Sequence, residues 1–443
     1  MKSTQSAPAP TSGWLVPLAD VFVHQDLRSA VQDVVESGWW SMGQRVEEFE
    51  RAFAGFVDTR HALGVANGTA ALHLALLAAG VGPGDEVVLP SLNFVAAANA
   101  VAHTGAEPVF CDVVGPHDLN LDPADLEAAV GERTKAVLVL HYGGFPCDMD
   151  AVRAVAEQHG LLVLEDAAHA PGATYRDERC GSLGLVACFS FFSNKNLPVG
   201  EGGMIVTNDE GVAERVRLLR SHGMTTLTWE RHRGHAAGYD VVSQGFNYRL
   251  DELRAAMGRA QLLRLPAENA SRARIAGRYR EALDGVNGVT MPFATTGEGT
   301  SSSHHLAVVV LPEGTSRDDV RAALTEKRIQ TSVHYPPIHR FSYYEERGRR
   351  RELPQTEAVA GRILTLPLYG HLTDEQVDLV VDSLLGSLWA PGARTPEAFE
   401  FPLNRTADAP PLGERLNAPR RRMLPGDGVL AERSHAERLS NVL

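Results

Sequence analysis

Short apolar runs alternating with alanine-rich helical patterns between residues 61 and 219 predict an α/β fold: a mostly parallel sheet covered by helices on both faces. The strand-like runs at 86–90, 107–111 and 136–140 are nearly continuous in apolar residues, as strands buried on both faces are. A chain of 443 residues that is 44% hydrophobic is also longer than one core usually supports, so a smaller α+β domain is expected after the large one.

Taken in order, residues 1–13 are polar and proline-containing and read as a flexible arm. Leu27, Val31 and Val34 mark a short helix ending near Ser37-Gly38, and Val46, Phe49, Phe53 and Phe56 mark a second, with Glu47, Glu48 and Arg51 on its wet face. Strands are then expected at 62–66, 86–90, 107–111, 136–140, 161–165, 185–191 and 204–207, with helices at 69–79, 94–103, 122–130, 150–159 and 212–219. The weakly periodic stretch 221–244 reads as a long loop, and loops of that length are more often functional or interfacial than idle. A helix over 250–265 is expected to end at Pro266, followed by an arginine-rich helix over 270–283. Beyond it come a strand at 306–311, a helix capped by Ser316, the segments 331–338 and 364–368, and a helix capped by Thr373. The expected division is 1–13 as arm, 14–265 as large domain with the N-terminal helices, 266–390 as linker helix and small domain, and 391–443 as an extended or disordered, proline-punctuated tail.

A formal charge of -13 and a pI of about 5.7 argue against nucleic acid as a partner, though not against a small phosphorylated molecule. Cys111, Cys147, Cys180 and Cys188 lack any Cys-x-x-Cys pairing and read as reduced thiols. No secretory leader or membrane span is visible and no metal is expected, so a cytoplasmic location is anticipated.

Three places can carry chemistry. Phe189-Ser190-Phe191-Phe192-Ser193-Asn194-Lys195 ends an apolar strand and is followed by a turn through Gly200, Gly202 and Gly203, which puts one lysine where a dry pocket could lower its pKa and make it a nucleophile. Gly68-Thr69 opens a helix after a strand, as an anion site does and as an ordinary cap does. Glu165-Asp166-Ala167-Ala168-His169 closes a strand at the sheet edge where ligands bind, a place also open to a simple turn former.

Together with Gly245-Phe246-Asn247-Tyr248-Arg249, the order and spacing of these motifs resemble the DegT/DnrJ/EryC1/StrS aminotransferases over roughly residues 16–388. That resemblance implies the fold type I architecture of pyridoxal 5'-phosphate (PLP) enzymes, with a seven-stranded sheet, and it implies a PLP cofactor that passes through pyridoxamine 5'-phosphate (PMP). By the same resemblance Lys195 would hold the cofactor covalently and move the substrate proton, and Asp166 would keep the pyridine nitrogen protonated. His169 would lie near the ring oxygen, Phe94 over the ring face, and Gly68, Thr69 and Ser190 at the phosphate. Asn247 would reach the phosphate from the other subunit of a homodimer, while Arg249, Tyr335 and His339 would contact substrate. The implied reaction moves an amino group from glutamate or glutamine to a nucleotide-linked keto sugar, in amino-sugar or antibiotic biosynthesis. A cyclitol ketone is the alternative acceptor, and a non-catalytic PLP-binding regulator the alternative class. A dinucleotide-binding dehydrogenase fits poorly, because the glycines at 80–84 do not form the required fingerprint.

Overall fold

The computed structural model describes residues 13–226, 238–347 and 349–388; the tail, nearly all of the arm and the middle of the 221–244 stretch lie outside them. Helices α1 (Gln25–Ser37) and α2 (Gln44–Val57) precede β1 (His61–Val65), α3 (Gly68–Ala78), β2 (Glu86–Pro90), α4 (Ala96–His103) and β3 (Glu107–Cys111). A hairpin of β4 (Val113–Gly115) and β5 (Asp118–Leu121) leads to α5 (Pro123–Ala129), β6 (Thr134–Leu140), α6 (Met149–His159) and β7 (Leu162–Asp166). A second hairpin, β8 (Thr174–Tyr175) and β9 (Glu178–Arg179), precedes β10 (Val186–Ser190), β11 (Gly203–Thr207) and α7 (Glu210–Leu219). Then follow α8 (Glu252–Leu283), β12 (Ala307–Val310), α9 (Arg317–Glu326), α10 (Ser342–Glu345), α11 (Pro354–Ala360), β13 (Ile363–Leu366) and α12 (Asp374–Leu388). The elements expected from 61 to 219 are all present, with ends displaced by no more than two residues.

Seven strands form one sheet in the order β1-β11-β10-β7-β6-β2-β3. Only β11 runs against its neighbours, because the glycine-rich turn after Lys195 sends the chain straight back alongside β10. The other six strands point the same way, so their carboxyl ends share one edge, the usual place for a ligand. In β6, Val137 and Val139 enter one core while Ala136 and Leu138 enter the other, the period of two expected of a strand buried on both faces.

One helix differs from expectation. Pro266 does not end it: α8 runs unbroken through this proline, 32 residues in all, and the expected boundary at 265/266 lies inside it. Pro266 is exposed, whereas Leu262 and Leu265 before it, and Ile275, Ala276 and Tyr279 after it, are buried. Burial on both sides of the lost backbone bond outweighs a proline cost of about 3 kcal/mol. The end of α8 packs with the antiparallel pair β12 and β13 and with α9 and α12, through Tyr279, Val309, Leu324, Leu364 and Val380. Thr373 does cap α12: its Oγ1 accepts the Gln376 N–H at 3.3 Å, and its own N–H donates to Gln376 Oε1 at 3.0 Å. The four cysteines are buried and unpaired.

Candidate active site

A cavity of about 560 Å³ opens at the carboxyl edge of the sheet. Gly68, Thr69, Ser190 and Lys195 line it, and so do Phe94, Asp166, His169 and Tyr335. Asn247, Arg249 and His339 do not.

Lys195 owes its place to the phenylalanines before it. Phe189 and Phe191 alternate inward from β10 and pack against Phe53 of α2, with ring centroids 4.9 Å and 5.5 Å away and tilts near edge-to-face. The chain then tightens, the Lys195 N–H donating to the Phe192 carbonyl at 2.9 Å, and Val199 N–H returns to Phe191 at 2.9 Å. The lysine is thereby held half-buried in the cavity wall. Desolvation pushes its ammonium down to about 8, with the Asp166 carboxylate opposing that shift.

Asp166 ends β7, buried, with Oδ1 accepting the Ala168 N–H at 3.2 Å. Burial pushes its carboxyl up, restrained by that hydrogen bond, by Lys195 and by His141. Glu165, one residue earlier, points to the opposite face and does different work. It accepts the N–H groups of Gly181, Leu183 and Gly184 at 2.7–2.8 Å, and His141 Nε2 donates to it at 2.9 Å. His141 Nδ1 accepts from Cys147 N–H at 3.2 Å, which fixes that tautomer. Glu165→Ala would strand three buried N–H groups and is expected to cost about 3–5 kcal/mol in a urea melt, with loosening of the β7 end that carries Asp166.

Also lining the cavity, Asn67 caps α3, its Oδ1 accepting the Ala70 N–H at 2.8 Å. Gly68 permits close approach of this helix start to β10: a Cβ there would sit 2.8 Å from Ser190 Cβ. First-turn N–H groups and the Thr69 and Ser190 hydroxyls therefore line one region, a donor set suited to a phosphate.

His169 Nδ1 accepts the Gly143 N–H at 3.3 Å, so Nε2 carries the proton and donates to Tyr335 Oη at 2.8 Å. Burial holds this imidazole well below its ordinary range, hence neutral. Phe94 is exposed, its ring centroid 5.8 Å from that of Tyr335. Of the residues outside the lining, His339 is held by Ser91 Oγ and Glu357 Oε1, each at 2.6 Å. Asn247 is exposed and bridges to Ser221. Arg249 bridges to Val65, and its Nη1 is buried without a hydrogen-bond partner among the described residues.

The donor set fits a phosphorylated pyridine aldehyde: an amine of lowered pKa for the aldehyde, a buried carboxylate suited to a protonated ring nitrogen, and a helix start for the phosphate. Asn93 Nδ2 and Asn194 Oδ1, both from cavity-lining residues, are buried without partners among the described residues, as groups awaiting a polar ligand would be. These two, and His305 with its Nε2 3.5 Å from Lys195 Nζ, were not singled out in the sequence. Asn194 adjoins the lysine and could have been; His305 lies 110 residues away and carried no local signal.

The chain is 44% identical over 361 residues to the spore coat polysaccharide biosynthesis protein SpsC of Bacillus subtilis (strain 168), covering 80% of this chain and 92% of that protein. Its fold is similar to that of DesV from S. venezuelae, at 39% identity and a TM-score of 0.75, over 82% of this chain and 94% of that one. DesI, solved in the presence of its TDP-sugar product, is 34% identical with a TM-score of 0.76, over 85% and 93% of the two chains. Solved structures 27% identical to this chain include PLP and PMP forms. With the model of the DegT/DnrJ/EryC1/StrS aminotransferase family matching residues 23–385, the chain belongs to that family of PLP-dependent enzymes.

Proposed function

We propose that this aminotransferase moves the amino group of glutamate or glutamine to the ketone of a nucleotide-linked sugar, yielding an amino sugar for polysaccharide or secondary-metabolite synthesis. The observation that carries the reading is the convergence of Lys195, Asp166 and the α3 start on one cavity at the carboxyl edge of the sheet. The acceptor class draws on the likeness to DesI, whose structure was solved with a TDP-sugar product, and to SpsC, named for polysaccharide biosynthesis.

In this reading the bound cofactor supplies the electron sink for breaking a C–H bond beside nitrogen. Lys195 would hold it, and its freed Nζ would take the proton from the donor's α-carbon and later return one on the acceptor half of the cycle. Asp166 would keep the ring nitrogen protonated; Gly68, Thr69 and Ser190 would orient the phosphate, Phe94 would cover the ring, and His169 would sit beside its oxygen. Tyr335, Arg249 and His339 are proposed at the substrate. Exposed Asn247 would reach the phosphate across a homodimer with shared sites, working in the cytoplasm.

The test is a panel of acceptors. PMP-loaded protein is expected to be discharged by nucleotide-linked keto sugars and not by cyclitol ketones, followed by the change in cofactor absorbance. Discharge by cyclitols alone would replace this acceptor assignment with the other.

A further inference from the structure

We propose that His305 is a positioning residue for Lys195, holding its Nζ through an acceptor nitrogen whose direction is set by two amides anchored on backbone carbonyls. The inference rests on the reading of Lys195 as the group that carries the substrate proton.

The direction can be traced from the acceptor-only end. Asn269 Nδ2 donates to the Pro171 carbonyl at 2.9 Å, leaving its Oδ1 to face Asn196. Asn196 Nδ2 donates to that oxygen at 2.9 Å and to the Ser303 carbonyl at 2.7 Å. Its own Oδ1 must then accept from His305 Nδ1, 3.0 Å away, so Nδ1 carries the imidazole proton. His305 Nε2 is left with a lone pair directed at Lys195 Nζ, 3.5 Å away. Each donor in the series points away from the lysine.

The backbone holds this arrangement in place. His305 N–H donates to the Gly143 carbonyl at 2.8 Å, Ser303 N–H to Gly144 at 3.1 Å, and Ser303 Oγ to His169 at 2.5 Å. Gly144 has φ 94, and a Cβ there would lie 2.3 Å from Ser303 Oγ, so only glycine lets the two segments meet.

The Asp166 carboxylate acts on the lysine, and the imidazoles of His169, His305 and His334 lie near enough to feel its charge. Burial keeps the three imidazoles neutral, His334 being pushed down to about 4 and the other two well below their ordinary range. His305 therefore accepts a hydrogen bond from the ammonium without competing for its proton. It steadies Nζ in both protonation states while the remaining valences face the cavity.

The chain has only four lysines, Lys2, Lys135, Lys195 and Lys327, so lysine labelled with 13C at Cε allows each to be titrated by NMR. The measurement is made on PMP-loaded holoenzyme, in which the lysine amine is free, with Lys195→Ala identifying the resonance. Loss of an acceptor destabilises the ammonium, so His305→Ala and Asn196→Leu are each expected to lower the Lys195 pKa by about one unit. His305→Gln, which keeps an acceptor oxygen at similar reach, is expected to recover most of that shift. Lys135, bonded to the Gly80 carbonyl and to Asp85, reports whether each variant is folded. A Lys195 titration unchanged or raised in folded His305→Ala, or in folded Asn196→Leu if the alanine variant does not fold, overturns the proposal. Formation of yellow wild-type protein with PLP is checked first and tests the underlying reading of Lys195 separately.

Discussion

Lys195→Ala is expected to give a protein that still binds PLP but stays colourless at the wavelength of the covalently held cofactor, with transamination reduced by about 10⁴-fold or more. Two losses would combine: the covalent tether and, among the described residues, the one lysine amine that lines the cavity. The fold should survive, because the side chain sits in a cavity and the nearby packing is supplied by Phe189 and Phe191. The wild-type amine also makes a pH prediction. Since the neutral form attacks the aldehyde and the ammonium is pushed down to about 8, the rate of PLP capture by cofactor-free protein should rise with pH through about 8 and then level. Asp166 raises that pKa, so in Asp166→Asn the inflection should move lower. A capture rate that keeps climbing toward the ordinary lysine range would show that the amine is not desolvated in solution.

Asp166→Asn is the second large effect. An amide cannot hold a proton on a pyridine nitrogen, and turnover is expected to fall by about 10²–10³-fold, the scale for losing one preorganised electrostatic partner. Stability should move the other way. Burial raises the Asp166 pKa above its unfolded value, so at neutral pH the native state bears the cost of a buried carboxylate. The cofactor-free variant should therefore unfold at a higher urea concentration than wild type at pH 7. That advantage should shrink as pH falls and the wild-type carboxyl takes up its proton. A variant both less active and more stable without cofactor is the signature of a charge kept for function; equal stability at every pH would show that the neighbouring N–H and Lys195 already offset the burial.

Much of this architecture was legible because it depends on residues close together in the chain. Continuous apolar runs marked the buried strands, Thr373 marked a cap, and the glycines after Lys195 marked a return of the chain, which forms the antiparallel β10–β11 pair. The lysine, the strand-end aspartate and the helix start were likewise local patterns. Arg249 and His339, for which the family resemblance implied substrate contact, are not among the residues that line the cavity, and His339 is held by Ser91 and Glu357.

By itself, the sequence determined the succession of strands and helices, the apolar faces, and which lysine and which carboxylate stand at strand ends, since period and turn chemistry are properties of short segments. Tertiary structure alone decided that β11 inserts between β1 and β10, that α8 runs on through Pro266, and that His305 faces Lys195 with a lone pair. The reason is physical: sheet order, the burial that outweighs a helix breaker, and the tautomer of a buried imidazole are all settled by partners that lie far away along the chain, Asn196 and His305 being 109 residues apart.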